Sequence, residues 1–145
     1  MFGDSTITDL SVHHPSPVGI FWLWQTYLEN VNPAVKILHV PTVQQLVLEA
    51  TADVSKLSPS KEALVFSIYL SALSSIPECD HAEGQRIMGE PINVLRERFT
   101  GLMRQALINA KFLGSFSLTT LQAYVSFLVS LAVLQVFLLF GFHLG

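Results

Sequence analysis

The stretch SPSKEALVFSIYLSALSSIP, residues 58–77, has the pattern of a central helix. Ser58 can cap this helix, and Pro59 suits its first turn, where the missing N–H costs no hydrogen bond. Pro77 ends the helix, because proline disfavours helical geometry in the residue before it. Apolar residues cover nearly the whole circumference in between: Leu64, Val65, Ile68, Leu70, Ala72 and Leu73. A helix that is apolar on all sides packs inside other helices, so we predict a buried helix over Pro59–Ile76.

Helical periodicity extends outward from this stretch in both directions. Ser16 can cap a first helix, and Thr42 with Gln45 has the spacing of a capping box for a second. We interpret Glu78–Gly89 as a polar loop, and we expect Gly114 to end the fourth helix and Ser117 to cap the last. Four more helices are predicted: Pro17–Val31, Val43–Val54, Pro91–Phe112 and Leu118–Phe140. No segment alternates with period two, so the predicted class is all-α, with about five helices.

Composition and charge exclude several classes of protein. The chain has 145 residues, a net charge of −3 and a single cysteine, Cys79. This charge excludes a nucleic-acid binder that works by bulk electrostatics, and one cysteine excludes a disulfide framework or a cysteine-cluster zinc site within the chain. Only 13% of the residues are charged, and residues 112–145 contain no Asp, Glu, Lys or Arg.

Several side chains of the predicted polar loop belong to metal-ligand or catalytic types: Glu78, Cys79, Asp80, His81 and Glu83. Zinc sites draw four ligands from separated pairs, and no second cluster accompanies this one. Cys79 lies near His81, but no nucleophile elbow or oxyanion loop surrounds it. Gly84 and Gly89 lack the spacing of a phosphate-binding loop. We therefore interpret 78–83 as a solvated acidic loop.

Three other groups of residues have both a structural and a functional interpretation. His13 and His14 read as part of a flexible leader rather than as a ligand pair. The fourth helix carries three cations, Arg96, Arg104 and Lys111. Either they contact an anionic partner or, as is more usual for an amphipathic helix, they face solvent. We interpret the aromatic cluster of the first helix as a Trp-rich core rather than as the lining of a ligand pocket. Its members are Phe21, Trp22, Trp24 and Tyr27. We assign no catalytic, cofactor-binding or metal-binding residue, and we expect no enzyme and no cofactor.

The last predicted helix has two interpretations. As a helix, the 23 residues of Leu118–Phe140 measure about 35 Å, enough to cross a bilayer core of about 30 Å. No Lys or Arg follows this segment, although a membrane anchor would favour one there. Six polar residues also reduce its apolar character: Thr119, Thr120, Gln122, Ser126, Ser130 and Gln135. A core helix without its outer partners has the same pattern, so this pattern leaves both readings open.

Six segments in this order resemble one family: HPSP (14–17), FWLWQTYLENVNP (21–33), KILHVPT (36–42), EALVFSIY (62–69), RQALINA (104–110) and LTTLQA (118–123). Together they are similar to the start of the fungal-specific transcription factor regulatory domain, the middle homology region of zinc binuclear-cluster regulators. This resemblance implies the first part of a larger all-α regulatory domain, a nuclear location and control of transcription, often of a metabolic or secondary-metabolite gene cluster. Members of this family bind DNA through a six-cysteine zinc cluster. This chain has one cysteine, so we expect neither zinc nor direct nucleic-acid contact here.

The resemblance divides the chain into three parts. We expect a flexible leader at 1–12, a partial regulatory domain at 13–130, and an apolar tail at 131–145 that continues the last helix and does not resemble the family. This organisation is expected of a truncated or misspliced product, or of a wrongly predicted gene model. Its expected partners are other proteins or the remaining part of a transcription factor, and such a fragment should fold marginally alone because helices one, three and five lack covering partners. The alternative is a small tail-anchored helical membrane protein, inserted in the membrane through residues 118–140.

Overall fold

A computed structural model describes residues 7–113 and 118–140 of the chain. The described residues contain no strand, so the predicted all-α class is confirmed. A π-helical turn, Tyr27–Val31, continues the first helix, and three short 3-10 helices cover Ser11–His13, Val54–Lys56 and Glu78–Asp80. The α-helices are α1 (Pro17–Thr26), α2 (Val40–Ala52), α3 (Pro59–Ser74), α4 (His81–Met88), α5 (Ile92–Leu113) and α6 (Leu118–Phe140).

Helix α3 is the centre of the fold. Every residue from 63 to 76 is buried, and the helix contacts α1, α2, α5 and α6. The Oγ of Ser58 accepts a hydrogen bond from the Lys61 amide, which confirms the predicted cap. The expectation that helix three lacks covering partners is wrong, because the chain itself surrounds this helix.

Arg96 of α5 binds the C-terminal end of α3. Its Nε donates to the carbonyl of Leu73 at 2.8 Å, and its Nη2 donates to the carbonyl of Ile76 at 2.9 Å. The last carbonyls of a helix have no partner within the helix, and a guanidinium offers several donors in one plane. Burial lowers the pKa of Arg96, although nearby Glu78 opposes this effect. The expectation that Arg96 lies on a solvated face is therefore wrong.

The first two helices begin at different kinds of cap. The Oγ of Ser16 accepts from the Gly19 amide at 3.2 Å, as predicted for α1. The capping box predicted at Thr42 is wrong, because α2 already begins at Val40 with His39 in the cap position. Thr42 lies within the first turn, where its hydroxyl bonds His39 Nδ1 at 2.9 Å. Pro41 fits this earlier start, since a first-turn residue needs no amide hydrogen.

The polar loop predicted at Glu78–Gly89 is wrong, since most of it forms α4. The helix ends at Gly89, whose φ of 85° places it in the left-handed region that glycine tolerates. Gly84 of α4 packs directly against Ile92 and Trp22. The amphipathic pattern is short and contains few apolar side chains, so periodicity in the sequence was too weak to indicate this helix. Gly114 and Ser117, the predicted stop and cap, lie outside the described residues.

Candidate interaction surface on the last helix

One face of α6 is buried against α3 and consists mainly of small side chains. Thr120, Ala123 and Ser126 are buried together with Phe127. The hydroxyls of Ser60 and Thr120 lie 2.7 Å apart and join the starts of the two helices. Small side chains let two helix backbones approach closely, so α6 is held firmly through this face.

The opposite face of α6 exposes four large apolar side chains, which we call the outer stripe. Leu121 is 45% exposed, Tyr124 47%, Val125 38% and Leu128 53%. Their spacing of three, four and seven residues places them on one side of the helix. Contiguous exposed apolar patches on soluble proteins mark sites of interaction with other molecules. The outer stripe is therefore the candidate functional site.

The polar residues of α6 are not spread evenly around the helix. Thr120 and Ser126, which the sequence suggested would dilute its apolar character, face α3 and leave the outer stripe free of them. The sequence contained the signal for this stripe in the positions 121, 124, 125 and 128, but it did not show which face α3 would cover. Among the residues whose side chains the structure describes, no helix is both long and apolar enough to cross a membrane.

Residues 8–14, which we call the strap, pack across the helices at the other end of the chain. The amide of Thr8 donates to Asn109 Oδ1 at 3.2 Å, and Asn109 Nδ2 donates to the Thr8 carbonyl at 2.7 Å. Leu10 is buried in the core. The expected flexible leader covers residues 1–12, of which 1–6 lie outside the described residues. Within the described part, Thr8 and Leu10 make these contacts.

His14 ends the strap with both ring nitrogens bonded. Its Nε2 lies 2.8 Å from Glu62 Oε2, its Nδ1 lies 3.0 Å from the Tyr69 hydroxyl, and its ring packs on Phe66 with centroids 4.6 Å apart. Burial raises the pKa of Tyr69 well above its usual range. In the tautomer that carries its hydrogen on Nε2, Nδ1 accepts a hydrogen bond from the Tyr69 hydroxyl. Nε2–H then donates to the Glu62 carboxylate. The reading of His14 as part of a flexible leader is wrong, whereas neighbouring His13 is exposed.

The residues of the candidate metal or catalytic cluster at 78–83 are not brought together. Among the described residues, no three His, Cys, Asp or Glu side chains are grouped as metal ligands. Cys79 is exposed, with its Sγ 3.9 Å from Asp80 Oδ1, and His81 Nε2 lies 3.3 Å from the Ile76 carbonyl. Arg104 and Lys111 are exposed on α5, as expected for a solvated face.

The aromatic cluster is mainly core, as predicted. Trp24 and Tyr27 stack with their rings 5.7 Å apart, and both are buried. Trp24 Nε1 donates to Gln44 Oε1 at 3.3 Å, and burial raises the pKa of Tyr27. Trp22 packs partly buried against this core, whereas Phe21 remains exposed.

Comparison with known proteins finds relatives among fungal regulators. The chain is 40% identical to the aurofusarin cluster transcription factor aurR2 of Gibberella zeae over 131 residues, which cover 90% of this chain and 19% of that protein. It is 44% identical to the pyriculol/pyriculariol biosynthesis cluster transcription factor 1 of Pyricularia oryzae, over 81% of this chain and 15% of that protein. It is 30% identical to the C6 finger domain transcription factor nscR of Arthroderma gypseum, over 88% of this chain and 20% of that protein.

These matches confirm the resemblance to fungal transcription factors that the sequence motifs indicate. The chain spans a fifth or less of the length of these curated relatives. No protein-family model matches the chain, and no solved structure matches it.

Proposed function

We propose that this chain is a segment of the regulatory region of a fungal transcription factor, and that it takes part in controlling a biosynthetic gene cluster in the nucleus. The similarity to regulators named for such clusters supports this function. With one cysteine, the chain cannot itself form a six-cysteine finger, and the proposed action is through contacts with other proteins or with the rest of the regulator. Its chemistry is that of recognition, not of catalysis.

The exposed outer stripe of α6 is the observation from which we infer how the chain acts. About four-fifths or more of each relative lies outside the matched stretch, so the remaining part of a regulator is long enough to supply a segment that covers an apolar face. A stripe without charge fits the apolar side of an amphipathic helix, because no buried charge is left unpaired. We therefore assign the stripe to contact with the rest of the regulatory domain.

Transcript measurements in the native host test both parts of the proposal. Deletion of the gene should lower transcripts of a neighbouring biosynthetic cluster, and the double substitution Leu121→Asp with Leu128→Asp should lower them toward the deletion level. Each Asp places a charge on an apolar contact, which costs several kcal/mol in a desolvated interface. The matched control is Leu48→Asp on α2, since Leu48 is also an exposed leucine, at 42%, outside the stripe.

The control strain should transcribe the cluster as the wild type does, with equal protein abundance on immunoblots in all strains. Unchanged transcripts after gene deletion would contradict the regulatory function. A deletion effect that the stripe variant does not share would contradict only the role of α6.

A further inference from the structure

A cavity of about 410 Å³ lies between the strap, the α2–α3 connection and α5. This volume falls within the range of sites that hold small organic molecules, about 300–1,000 Å³. From its walls we propose that the cavity binds a small organic ammonium ion with an apolar body.

The walls combine apolar side chains with negative charge. Leu10, Val54, Leu57 and Pro59 provide an apolar lining, and Asp9 and Glu62 are the charged residues that line the cavity. No Lys, Arg or His is among the lining residues. The lining therefore favours a cation over an anion of the same shape. His14 faces Glu62 and His13 lies near Asp9, both from outside the lining.

Glu62 supplies the anchoring atom. Its side chain is only 13% exposed, and the hydrogen bond from His14 Nε2 to Oε2 fixes the position of the carboxylate. Among the residues that the structure describes, Oε1 makes no hydrogen bond, so this oxygen can accept one from an ammonium group. A carboxylate–ammonium contact is a charge-assisted hydrogen bond, about twice as strong as a neutral one.

Two other polar residues of the cavity are already hydrogen-bonded. Asn109 bonds the strap through both of its side-chain atoms. Asp9 Oδ1 accepts from the Ser11 amide at 3.0 Å, and this hydrogen bond lowers the pKa of Asp9, which keeps the carboxylate ionised at the cavity edge. The cavity thus offers one carboxylate oxygen of the 13% exposed Glu62 side chain and a second negative charge at the edge, beside apolar walls.

NMR titration of the ¹⁵N-labelled full chain tests the inference with three probes of similar shape: phenethylammonium, 2-phenylethanol and 3-phenylpropionate. Phenethylammonium should shift the amide signals of Ser11, Ser55 and Leu57 saturably, the alcohol should bind more weakly, and the carboxylate should not bind. Glu62→Gln should weaken phenethylammonium binding about tenfold, the equivalent of about 1.4 kcal/mol from one charge-assisted hydrogen bond. Asp9→Asn should weaken it less, because Asp9 lies at the exposed edge.

Glu49→Gln is the matched control, since Glu49 is a half-exposed carboxylate outside the cavity. It should bind phenethylammonium as the wild type does. Equal binding of the carboxylate probe, or no saturable shift with phenethylammonium at its solubility limit, would overturn the inference. Should Glu62→Gln perturb the whole spectrum, Asp9→Asn and the three-probe series still decide the outcome.

Discussion

His14 shows how much structure one side chain can hold. Its ring is 2% exposed and connects the strap to two residues of α3, Glu62 and Tyr69. Removing the ring leaves a buried carboxylate and a buried hydroxyl without this partner, and it leaves a void beside Phe66. Few single changes in the chain combine these three costs.

We expect His14→Ala to lower the free energy of unfolding by about 2–4 kcal/mol. Urea unfolding followed by circular dichroism measures this change. His13→Ala is the control, because the adjacent ring is exposed and its loss should stay within about 0.5 kcal/mol. Equal losses for the two variants would show that the contacts of His14 do not stabilise the fold.

The sequence could not distinguish these two histidines. Adjacent residues of the same type, ahead of a proline, carry no periodic signal that indicates which one is buried. The same limit applies to Arg96, which has the spacing of a surface residue on α5 but reaches the end of α3. Contacts between distant segments decided both positions.

At the scale of elements, two helical glycines differ in what surrounds them. A Cβ at Gly84 in α4 would lie 2.7 Å from Ile92 Cδ1 and 3.0 Å from Trp22 Cη2. Ile92 is almost fully buried, so it has little room to move away. A Cβ at Gly101 in α5 would meet nothing within 4 Å. Of these two glycines, Gly84 is therefore the one that close packing between helices requires.

We expect opposite effects from the same substitution at these two sites. Gly84→Ala should destabilise the chain by about 1–3 kcal/mol, because overpacking outweighs the gain in helix propensity. Gly101→Ala should stabilise it by about 0.5–1 kcal/mol through propensity alone. Midpoints of urea unfolding compare the variants, and a stabilised Gly84→Ala would contradict the tight contact of α4 with α1 and α5.

Periodicity predicted the long helices well and the short one not at all. The bounds of α3 and α6 lie within two residues of those predicted, because each helix is long enough for its apolar pattern to be clear. Helix α4 depends on Gly84 and on tertiary contacts that no local pattern contains. The outer stripe could be predicted only in part. The sequence shows the spacing of its residues, but their exposure depends on which side of α6 packs against α3.

Considered as a whole molecule, the chain covers its central helix but not its last one. The expectation of marginal folding assumed that helices one, three and five all lack covering partners. Helix α3 has such partners, because other helices of the chain bury it. On α6, which is the fifth predicted helix, the outer stripe stays exposed, and on α1 Val18 and Phe21 are exposed. Among the side chains that the structure describes, the outer stripe places four exposed large apolar residues on one face of a single helix, which favours association.

We expect the isolated chain to associate as its concentration rises, because the outer stripe exposes adjacent apolar side chains. Sedimentation velocity should show a rising sedimentation coefficient for the wild type and for Leu48→Asp. The double variant Leu121→Asp, Leu128→Asp should remain monomeric, with a free energy of unfolding within about 0.5 kcal/mol per exposed site. A wild type that stays monomeric at every concentration would contradict this role of the stripe.

The contact between Thr8 and Asn109 also has a consequence for synthesis on the ribosome. Its two partners are 101 residues apart in the chain. At about 5–20 residues per second, the ribosome takes about 5–20 s to deliver Asn109 after Thr8 has been made. The strap is thus translated before α1–α5 yet can close only after nearly all of α5 has been translated, so the first described segment of the chain is among the last to reach its final position.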